Sequence, residues 1–269
     1  MPQPFCIETH AAAKSAARRA LVTGGSLGVG AAIVRALARG GTDVAIHHSS
    51  AVDRAMGHPE AGARLHAEAR ALGVHATLID LDFTQPGAGA RTAERALEQW
   101  DAVDWLFVCA SVQKREPMAG LTHEEAMRQF NVNFWSTIEL LQSLHGPMRR
   151  QRYGRIVSLG SINQERPSPD LAVYAALKAA QHNLMRNLAR VWVDDGITLN
   201  TLSPGLVHTP RSDWRRQEPG HWDAFAHAAN PMHRAASAEE IASLAVMLVC
   251  DASAFMTGAN IMVDGGAHL

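Results

Sequence analysis

The chain has 269 residues, of which 47% are hydrophobic and 19% charged, and its formal net charge is −1. This balance is typical of a globular protein and excludes a disordered chain, and the apolar runs are too short to span a bilayer. Acidic and basic residues are interspersed, so neither a nucleic acid nor a membrane is expected as a partner.

The N-terminal stretch "MPQPFCIETHAAAKSAARRA" is rich in Ala and Arg, and we expect residues 1–17 to form a flexible extension. A targeting peptide is the alternative, which Glu8 and two prolines argue against. Cys6, Cys109 and Cys250 share no metal-ligand spacing and cannot all pair, which favours a reducing cytoplasm as the location. The histidines are scattered, so no metal site is predicted.

From residue 18 onward, short β-branched runs alternate with longer amphipathic ones. The strand "RALVTGG" precedes the helix "GVGAAIVRALARGG", and the strand "DVAIHH" precedes the helix "PEAGARLHAEARALG". Further strands are predicted at "VHATLIDLD", "VDWLFVCA", "GRIVSLGS", "GITLNTLSPG" and "NIMVDGG", with helical stretches between them. The pattern predicts one α/β domain over residues 18–269, with a mostly parallel, doubly wound seven-stranded sheet and helices on both faces.

The stretch "TGGSLGVG", residues 23–30, lies where the first strand turns into the first helix. Gly24 can adopt backbone angles that a side chain forbids, Gly28 lets backbone amides approach a pyrophosphate, and Gly30 lets helix and strand pack closely. The helix N-terminus adds partial positive charge for the phosphates. After the first strand of a β/α chain, this turn indicates a dinucleotide site.

Tyr174 and Lys178 in "YAALK" are four residues apart, so they lie on one face of a helix. This YxxxK pair and the TGxxxGxG spacing resemble the short-chain dehydrogenase/reductase family, in its compact single-domain branch, over about residues 18–267. The group around 3-oxoacyl-[acyl-carrier-protein] reductases is the most similar. The resemblance implies a Rossmann-type fold and an NAD(P)-dependent oxidoreductase that moves a hydride between nicotinamide and a carbonyl or secondary alcohol. We therefore expect a ketone reductase.

Further matches occur in the order of the family. Asn133 in "FNVNFW" matches the helix asparagine, with Asn131 as its rival, and Ser161 lies 13 residues before Tyr174. The resemblance implies the catalytic set Asn133, Ser161, Tyr174 and Lys178. It implies that the cofactor contacts Thr23, Gly24, Ser26, Leu27, Gly28, Gly30, His48, Ser49, Ser50, Asp82, Phe83, Cys109, Ala110, Ser111, Tyr174, Lys178, Pro204, Gly205, Val207 and Thr209.

The proposed roles follow from the chemistry of the YxxxK pair. A free phenol has a pKa of about 10, and a nearby ammonium favours the phenolate, so Lys178 lowers the pKa of Tyr174 toward that of a useful acid or base. The resemblance implies that Lys178 also binds the nicotinamide ribose and that Ser161 holds the substrate oxygen. It implies that Asn133 anchors a water that carries protons onward from Lys178.

One match fails. After the fourth strand the family usually has Asn-Asn-Ala-Gly, whereas this chain has "VCAS" at residues 108–111. Two polar side chains are lost and a Gly is replaced by Ser111, which affects local rigidity and the fit of the nicotinamide.

Two alternatives come from other function classes. A nucleotide-sensing scaffold of the same fold would not need a proton donor, which the intact Tyr174 supplies. A nucleotide-sugar epimerase would carry a different glycine spacing and a larger C-terminal domain. Consumption of NADPH with a ketone separates the enzyme from the scaffold, and product formation without a net change of the cofactor would favour the epimerase.

We expect NADP(H) as the preferred cofactor, with NAD(H) possible. NAD-specific relatives place an Asp at the end of the second strand, where this chain has His48 followed by Ser49 and Ser50. No carboxylate there repels a 2′-phosphate. Leu27, however, occupies the position where many NADP enzymes carry Arg, and Arg54 is a candidate substitute.

The partners expected are a small carbonyl or alcohol substrate and further copies of the chain. Helices around 123–150 and 172–194 carry apolar residues on more than one face, including Trp135, Leu188 and Trp192, which favours a homotetramer or homodimer. Residues 209–234 are expected to form a lid over the substrate. Trp214 and Trp222 in this lid either wall an apolar pocket or pack beneath it, and its arginines either meet an acidic substrate or pair with acidic neighbours.

Overall fold

A computed structural model describes residues 17–216 and 220–269. The expected extension therefore lies outside the described residues except for its last residue. Seven parallel strands form one sheet in the order β3-β2-β1-β4-β5-β6-β7. They are β1 (Arg19–Thr23), β2 (Asp43–His48), β3 (Ala76–Asp80), β4 (Trp105–Val108), β5 (Gly154–Leu159), β6 (Ile197–Pro204) and β7 (Asn260–Val263). This confirms the predicted fold class and all seven strands, and the sheet is wholly parallel.

The helices connect successive strands and cover both faces of the sheet. They are α1 (Gly28–Arg39), α2 (Ser50–Ala55), α3 (Ala61–Ala71), α4 (Ala88–Leu97), α5 (His123–Phe130), α6 (Ser136–Gln151), α7 (Ala172–Trp192), α8 (His221–Ala229) and α9 (Ala238–Met247). Helices α1, α3 and α9 pack on one face, and α4, α6 and α7 pack on the other. None of the helices among the described residues is long and apolar enough to cross a membrane.

Alternation along the strands divides the core into two layers. In β1, Ala20 and Val22 point toward the α1 side, and Leu21 points toward the α6 side, and all three are fully buried. A strand buried on both faces reads as a continuous apolar run, which is why these strands could be recognised in the sequence.

The order of the strands determines where a ligand can bind. The chain runs from β1 outward to β3 and then returns to β4 on the other side of β1, so the loops after β1 and β4 diverge. In an open parallel sheet the crevice at the carboxyl ends of the strands, at such a switch point, is the usual binding site.

Candidate active site

A cavity of about 880 Å³ opens at the carboxyl ends of the central strands. Most of the predicted site residues line it, from the glycine turn to Thr209. Thr23, Ser50 and Asn133 do not line the cavity. Thr23 and Asn133 are fully buried behind its wall, and the Ser50 amide donates to Asp80 Oδ1 at 2.9 Å.

The glycine turn has the close backbone approach that a dinucleotide requires. Gly24 has φ +59°, and a Cβ on it would lie 2.8 Å from the Ala110 Cα. A Cβ on Gly30 would collide with the Gly24 carbonyl oxygen. Side chains are therefore excluded at Gly24 and Gly30, and the first turn of α1 stays open to the cavity, as expected for a helix N-terminus that binds phosphates.

An acidic residue that the sequence analysis missed lies beside the end of β2. Asp53, in α2, is 2% exposed and accepts from Ser26 Oγ at 2.7 Å. Its other oxygen lies 2.8 Å from His48 Nδ1. Because both oxygens are engaged by Ser26 and His48, the carboxylate is tied into the wall of the cavity.

His47 is a second residue that the sequence analysis missed. Its ring stacks on Phe83 at a centroid distance of 3.9 Å, its Nδ1 accepts from the Gly24 amide at 3.2 Å, and its Nε2 lies 2.9 Å from Leu81 O. These contacts assign the proton to Nε2. Burial lowers the pKa of His47 to about 4, so the ring is neutral near pH 7 and braces the glycine turn.

The atypical "VCAS" segment is braced from β1. The Thr23 hydroxyl accepts from the amides of Cys109 at 3.0 Å and Ala110 at 3.1 Å, and it donates to Phe107 O at 3.3 Å. Thr23 thus fixes the backbone beside the cavity where the family's polar side chains are missing. Burial raises the pKa of the Cys109 thiol to about 12, so it is neutral there.

Tyr174 and Lys178 lie side by side at the base of the cavity. They are 6% and 1% exposed, and Lys178 Nζ is 6.0 Å from the centroid of the Tyr174 ring. Burial raises the pKa of Tyr174, but the charges of Lys178 and Arg211, together with hydrogen bonding from the Ser161 and Ser111 hydroxyls, bring it below the ordinary value of 10. Burial lowers the pKa of Lys178, which the phenol partly offsets.

Ser161 faces the same space from the end of β5. Its oxygen accepts from the amide of Asn163 at 3.2 Å and from Asn163 Nδ2 at 3.3 Å, capping the helical turn Ile162–Gln164. Since both of these bonds use the oxygen as acceptor, the hydroxyl keeps its proton for Tyr174, whose pKa it lowers, and a substrate oxygen that binds here would compete for this proton.

Gln181, which the sequence analysis did not single out, occupies the space behind Lys178. Lys178 Nζ donates to Leu159 O at 2.7 Å and to Gln181 Oε1 at 3.1 Å. Gln181 Nε2 in turn donates to Asn133 O at 3.0 Å and to Thr137 at 2.9 Å.

Asn133 thus meets Lys178 through this amide rather than directly. The side chain of Asn133 is occupied by both backbone groups of Val112, at 2.8 and 3.0 Å. It lies in a π-helical segment, Asn131–Trp135, between α5 and α6. The rival Asn131 instead donates to Thr84 O at 3.4 Å.

The segment expected to form a lid contains the 3-10 segment Pro210–Arg216 and helix α8, and its residues 217–219 lie outside the described part. Trp214 and Phe225 line the cavity, whereas Trp222 packs against His208 outside it, at a centroid distance of 5.6 Å. Arg216 pairs with Asp213, so it is not available to a substrate.

The two tryptophans on the helices expected to pair differ in exposure. Trp192 is 8% exposed and its ring stacks on that of His145 at a centroid distance of 4.1 Å, so it packs inside the subunit, whereas Trp135 is 42% exposed.

Among residues 17–216 and 220–269, no group of three or more His, Cys, Asp or Glu side chains could hold a metal ion.

Comparisons with known proteins show to which family the chain belongs. A family model described as enoyl-(acyl carrier protein) reductase matches residues 24–268. The acetoacetyl-CoA reductase of Allochromatium vinosum is 32% identical over 94% of this chain and 99% of its own length. The crystal structure of a 3-oxoacyl-(acyl-carrier-protein) reductase from Agrobacterium tumefaciens with NADP bound is 41% identical, with a TM-score of 0.85 and 93% of each chain covered. A short-chain dehydrogenase from Burkholderia cenocepacia in complex with NADP is 32% identical, with a TM-score of 0.80 over 94% of this chain and 98% of that one.

Proposed function

Because the chain belongs to the short-chain dehydrogenase/reductase family and is an oxidoreductase acting on C=O or CH–OH groups, we propose that it reduces a ketone with NADPH. The observation that carries this proposal is the buried Tyr174–Lys178 pair, which faces the cavity together with the Ser161 hydroxyl. A protein that only bound the nucleotide would gain nothing from a phenol with a lowered pKa.

When bound, the reduced nicotinamide supplies the hydride that adds to the carbonyl carbon. Ser161 donates a hydrogen bond to the carbonyl oxygen, and Tyr174 gives that oxygen a proton, so that a secondary alcohol forms. The ammonium of Lys178 stabilises the phenolate that remains, because opposite charges attract strongly in a buried site. A proton from solvent then restores Tyr174.

NADP(H) is the preferred cofactor, with NAD(H) as a weaker one. His48 and Ser49 line the cavity at the end of β2, where an NAD-specific relative would offer a carboxylate. Asp53, which lines the cavity beside them, is bound to Ser26 and His48 and is 2% exposed, so little of its carboxylate is accessible to the ribose hydroxyls. The NADP-bound relatives support this preference.

The test is NADPH oxidation in the presence of a panel of ketones, with Tyr174→Phe beside the wild type. Phenylalanine removes only the proton donor, so kcat is expected to fall about 10²- to 10⁴-fold. NADPH affinity, measured by fluorescence titration, is expected to stay within about threefold. Activity of the variant close to that of the wild type would reject Tyr174 as the acid. If NADPH is not oxidised with any ketone of the panel, the proposal that the protein is a ketone reductase is wrong.

The homotetramer, or a homodimer, is also a proposal. Trp135, Val191 and Val193 are 42%, 60% and 48% exposed, on the helices that were expected to pair. A second copy would cover them. Light scattering that gives a mass near 29 kDa, the mass of one chain, would reject this assembly. A reducing cytoplasm remains the proposed location, and the thiol of Cys109 beside the cavity is compatible with it.

A further inference from the structure

Arg211 reaches across the cavity from the lid to the loop after β4. Its Nη2 donates to Ser111 O at 2.6 Å, and its Nη1 lies 3.5 Å from Ser111 Oγ. A guanidinium carries five N–H donors, so three remain for a ligand. Arg211 lines the cavity and is exposed there. Ser111 therefore positions the guanidinium of Arg211, which still has N–H donors free to bind a ligand.

The charges on this side of the cavity are not balanced. Arg115, Arg211 and Arg215 all line it, and only Arg115 has a carboxylate partner among the described residues, Asp170 at 2.6 Å. The guanidinium of Arg215 instead lies 3.8 Å from the centroid of the Phe225 ring.

The acids that line the cavity are elsewhere. Asp53 and Asp82 lie on the nucleotide side, next to β2 and after β3. On the substrate side, defined by Ser111, Tyr174 and Arg211, the charged side chains that line the cavity among the described residues are therefore basic, and an anionic substrate would compensate their charge.

Arg211 lies close to the place of the reacting carbonyl. The Ser111 hydroxyl lies 3.5 Å from Arg211 Nη1, and both this hydroxyl and the charge of Arg211 lower the pKa of Tyr174, so all three groups lie close together. A carbonyl oxygen bound by Tyr174 and an anionic oxygen bound by Arg211 would thus lie on either side of a single serine. Planar guanidinium groups bind carboxylate and phosphate oxygens in pairs, with strong charge-assisted hydrogen bonds.

We propose that Arg211, held by Ser111, binds an anionic oxygen group of the substrate, so that the enzyme acts on ketones that carry a carboxylate or phosphate close to the carbonyl. This inference rests on the proposed ketone reduction and names its substrate class. The anionic group takes no part in the chemistry: the hydride goes to the carbonyl carbon, the proton of Tyr174 goes to its oxygen, and the anion only orients the ketone.

The experiment compares matched ketones with NADPH: a short oxo acid, its primary amide, and a ketone of similar size that carries a phosphate ester. Arg211→Met is expected to lower kcat/KM for the preferred anionic ketone about 10- to 100-fold more than for the amide, because the charge of Arg211 also lowers the pKa of Tyr174 and its loss affects every ketone. Arg211→Lys is expected to recover part of the loss, since lysine keeps the positive charge but lacks the paired N–H donors of the guanidinium. Arg234→Met is the control, because Arg234 is a lid arginine that pairs with Glu240 away from the cavity.

The outcomes separate the inference from the proposed function. If the wild type reduces the amide as well as both anionic ketones, or if Arg211→Met lowers all of them equally, the anion site is wrong while the reductase stands. Loss confined to the oxo acid identifies a carboxylate, and loss confined to the phosphate ester identifies a phosphate.

If none of these ketones is turned over, the same compounds are titrated into the enzyme–NADP⁺ complex and binding is followed by tryptophan fluorescence. Binding of an anionic ketone that weakens at least tenfold in Arg211→Met supports the site. Equal dissociation constants for wild type and variant, or no binding to either, overturn it.

Discussion

Replacing Gln181 with Leu tests whether the amide behind Lys178 belongs to the catalytic unit. Gln181 makes three buried hydrogen bonds, to Lys178, Asn133 and Thr137. Leucine has a similar volume and makes none of them. At about 1 kcal/mol net for each bond, we expect the free energy of unfolding to fall by about 3 kcal/mol.

The same substitution changes the ionisation of the pair. Burial already lowers the pKa of Lys178, and loss of an acceptor that favours the ammonium lowers it further. A hydrogen bond to a charged group contributes about 1.5 kcal/mol, which corresponds to about one pH unit. Because catalysis needs charged Lys178, the alkaline limb of the kcat profile for ketone reduction is expected to move down by about one pH unit. Arg211 and Cys109 also face the pair, but arginine keeps its charge and the thiol, with a pKa of about 12, stays neutral.

The matched variant is Gln181→Glu. Both variants lose the amide donors to Asn133 and Thr137, but Glu keeps an acceptor for Lys178 and adds a negative charge, which raises the lysine pKa. The assay is kcat against pH with saturating NADPH and ketone, together with urea unfolding at pH 7. The two variants are expected to shift the alkaline limb in opposite directions at a comparable loss of stability. A shift in the same direction, or no shift in either, would refute the role of Gln181 as a positioning residue.

Two other predictions concern the nucleotide side. Ser49→Asp keeps a good N-cap for α2 but places a carboxylate at the end of β2, where it repels the 2′-phosphate of NADPH. We expect kcat/KM for NADPH to fall at least tenfold and kcat/KM for NADH to change less than threefold. Ser49→Asn is the neutral control, and equal losses with both cofactors would contradict the prediction. His47 has a pKa of about 4 in the folded protein and about 6.5 in the unfolded chain, so the unfolded chain binds a proton first as the pH falls. The free energy of unfolding is therefore expected to be unaffected by His47 above about pH 6.5 and to fall by about 3 kcal/mol by about pH 4. Urea unfolding at both pH values checks this, and His47→Gln is expected to lose that part of the dependence.

The sheet and the catalytic pair could be predicted because their signals are local. Each strand is a short apolar run bounded by turns, and Tyr174 and Lys178 are one helical turn apart. Gln181 could have been found in the same way. The buried face of α7 runs through Tyr174, Lys178, Gln181 and Met185, so its spacing of four, three and four residues continues the stripe that the YxxxK pair begins. In the sequence alone, a Gln between Ala and His is equally typical of an exposed helix face.

Asp53 and Arg211 could not be predicted, because their partners depend on tertiary contacts. Asp53 becomes buried only because α2 folds back onto the glycine turn, where Ser26 lies 27 residues earlier in the chain. Arg211 and Ser111 are 100 residues apart and come from different crossovers. The lid arginines look alike in the sequence, and only the structure separates Arg216, paired with Asp213, from Arg211, which has no carboxylate partner among the described residues.

In the sequence, residues 108–111 differ from the family motif by the loss of two polar side chains, whereas the structure shows which contacts this segment makes. The segment without the two polar side chains is still fixed to β1 by the Thr23 hydroxyl, which accepts from the amides of Cys109 and Ala110. Ser111, which stands where the family has glycine, adds a hydroxyl that faces Tyr174 and holds Arg211. A glycine could supply the carbonyl to Arg211 but not the hydroxyl to the phenol. The segment thus keeps a backbone fixed by Thr23 and gains a polar group beside Tyr174, and under the proposed anion site this group also positions Arg211 for the substrate.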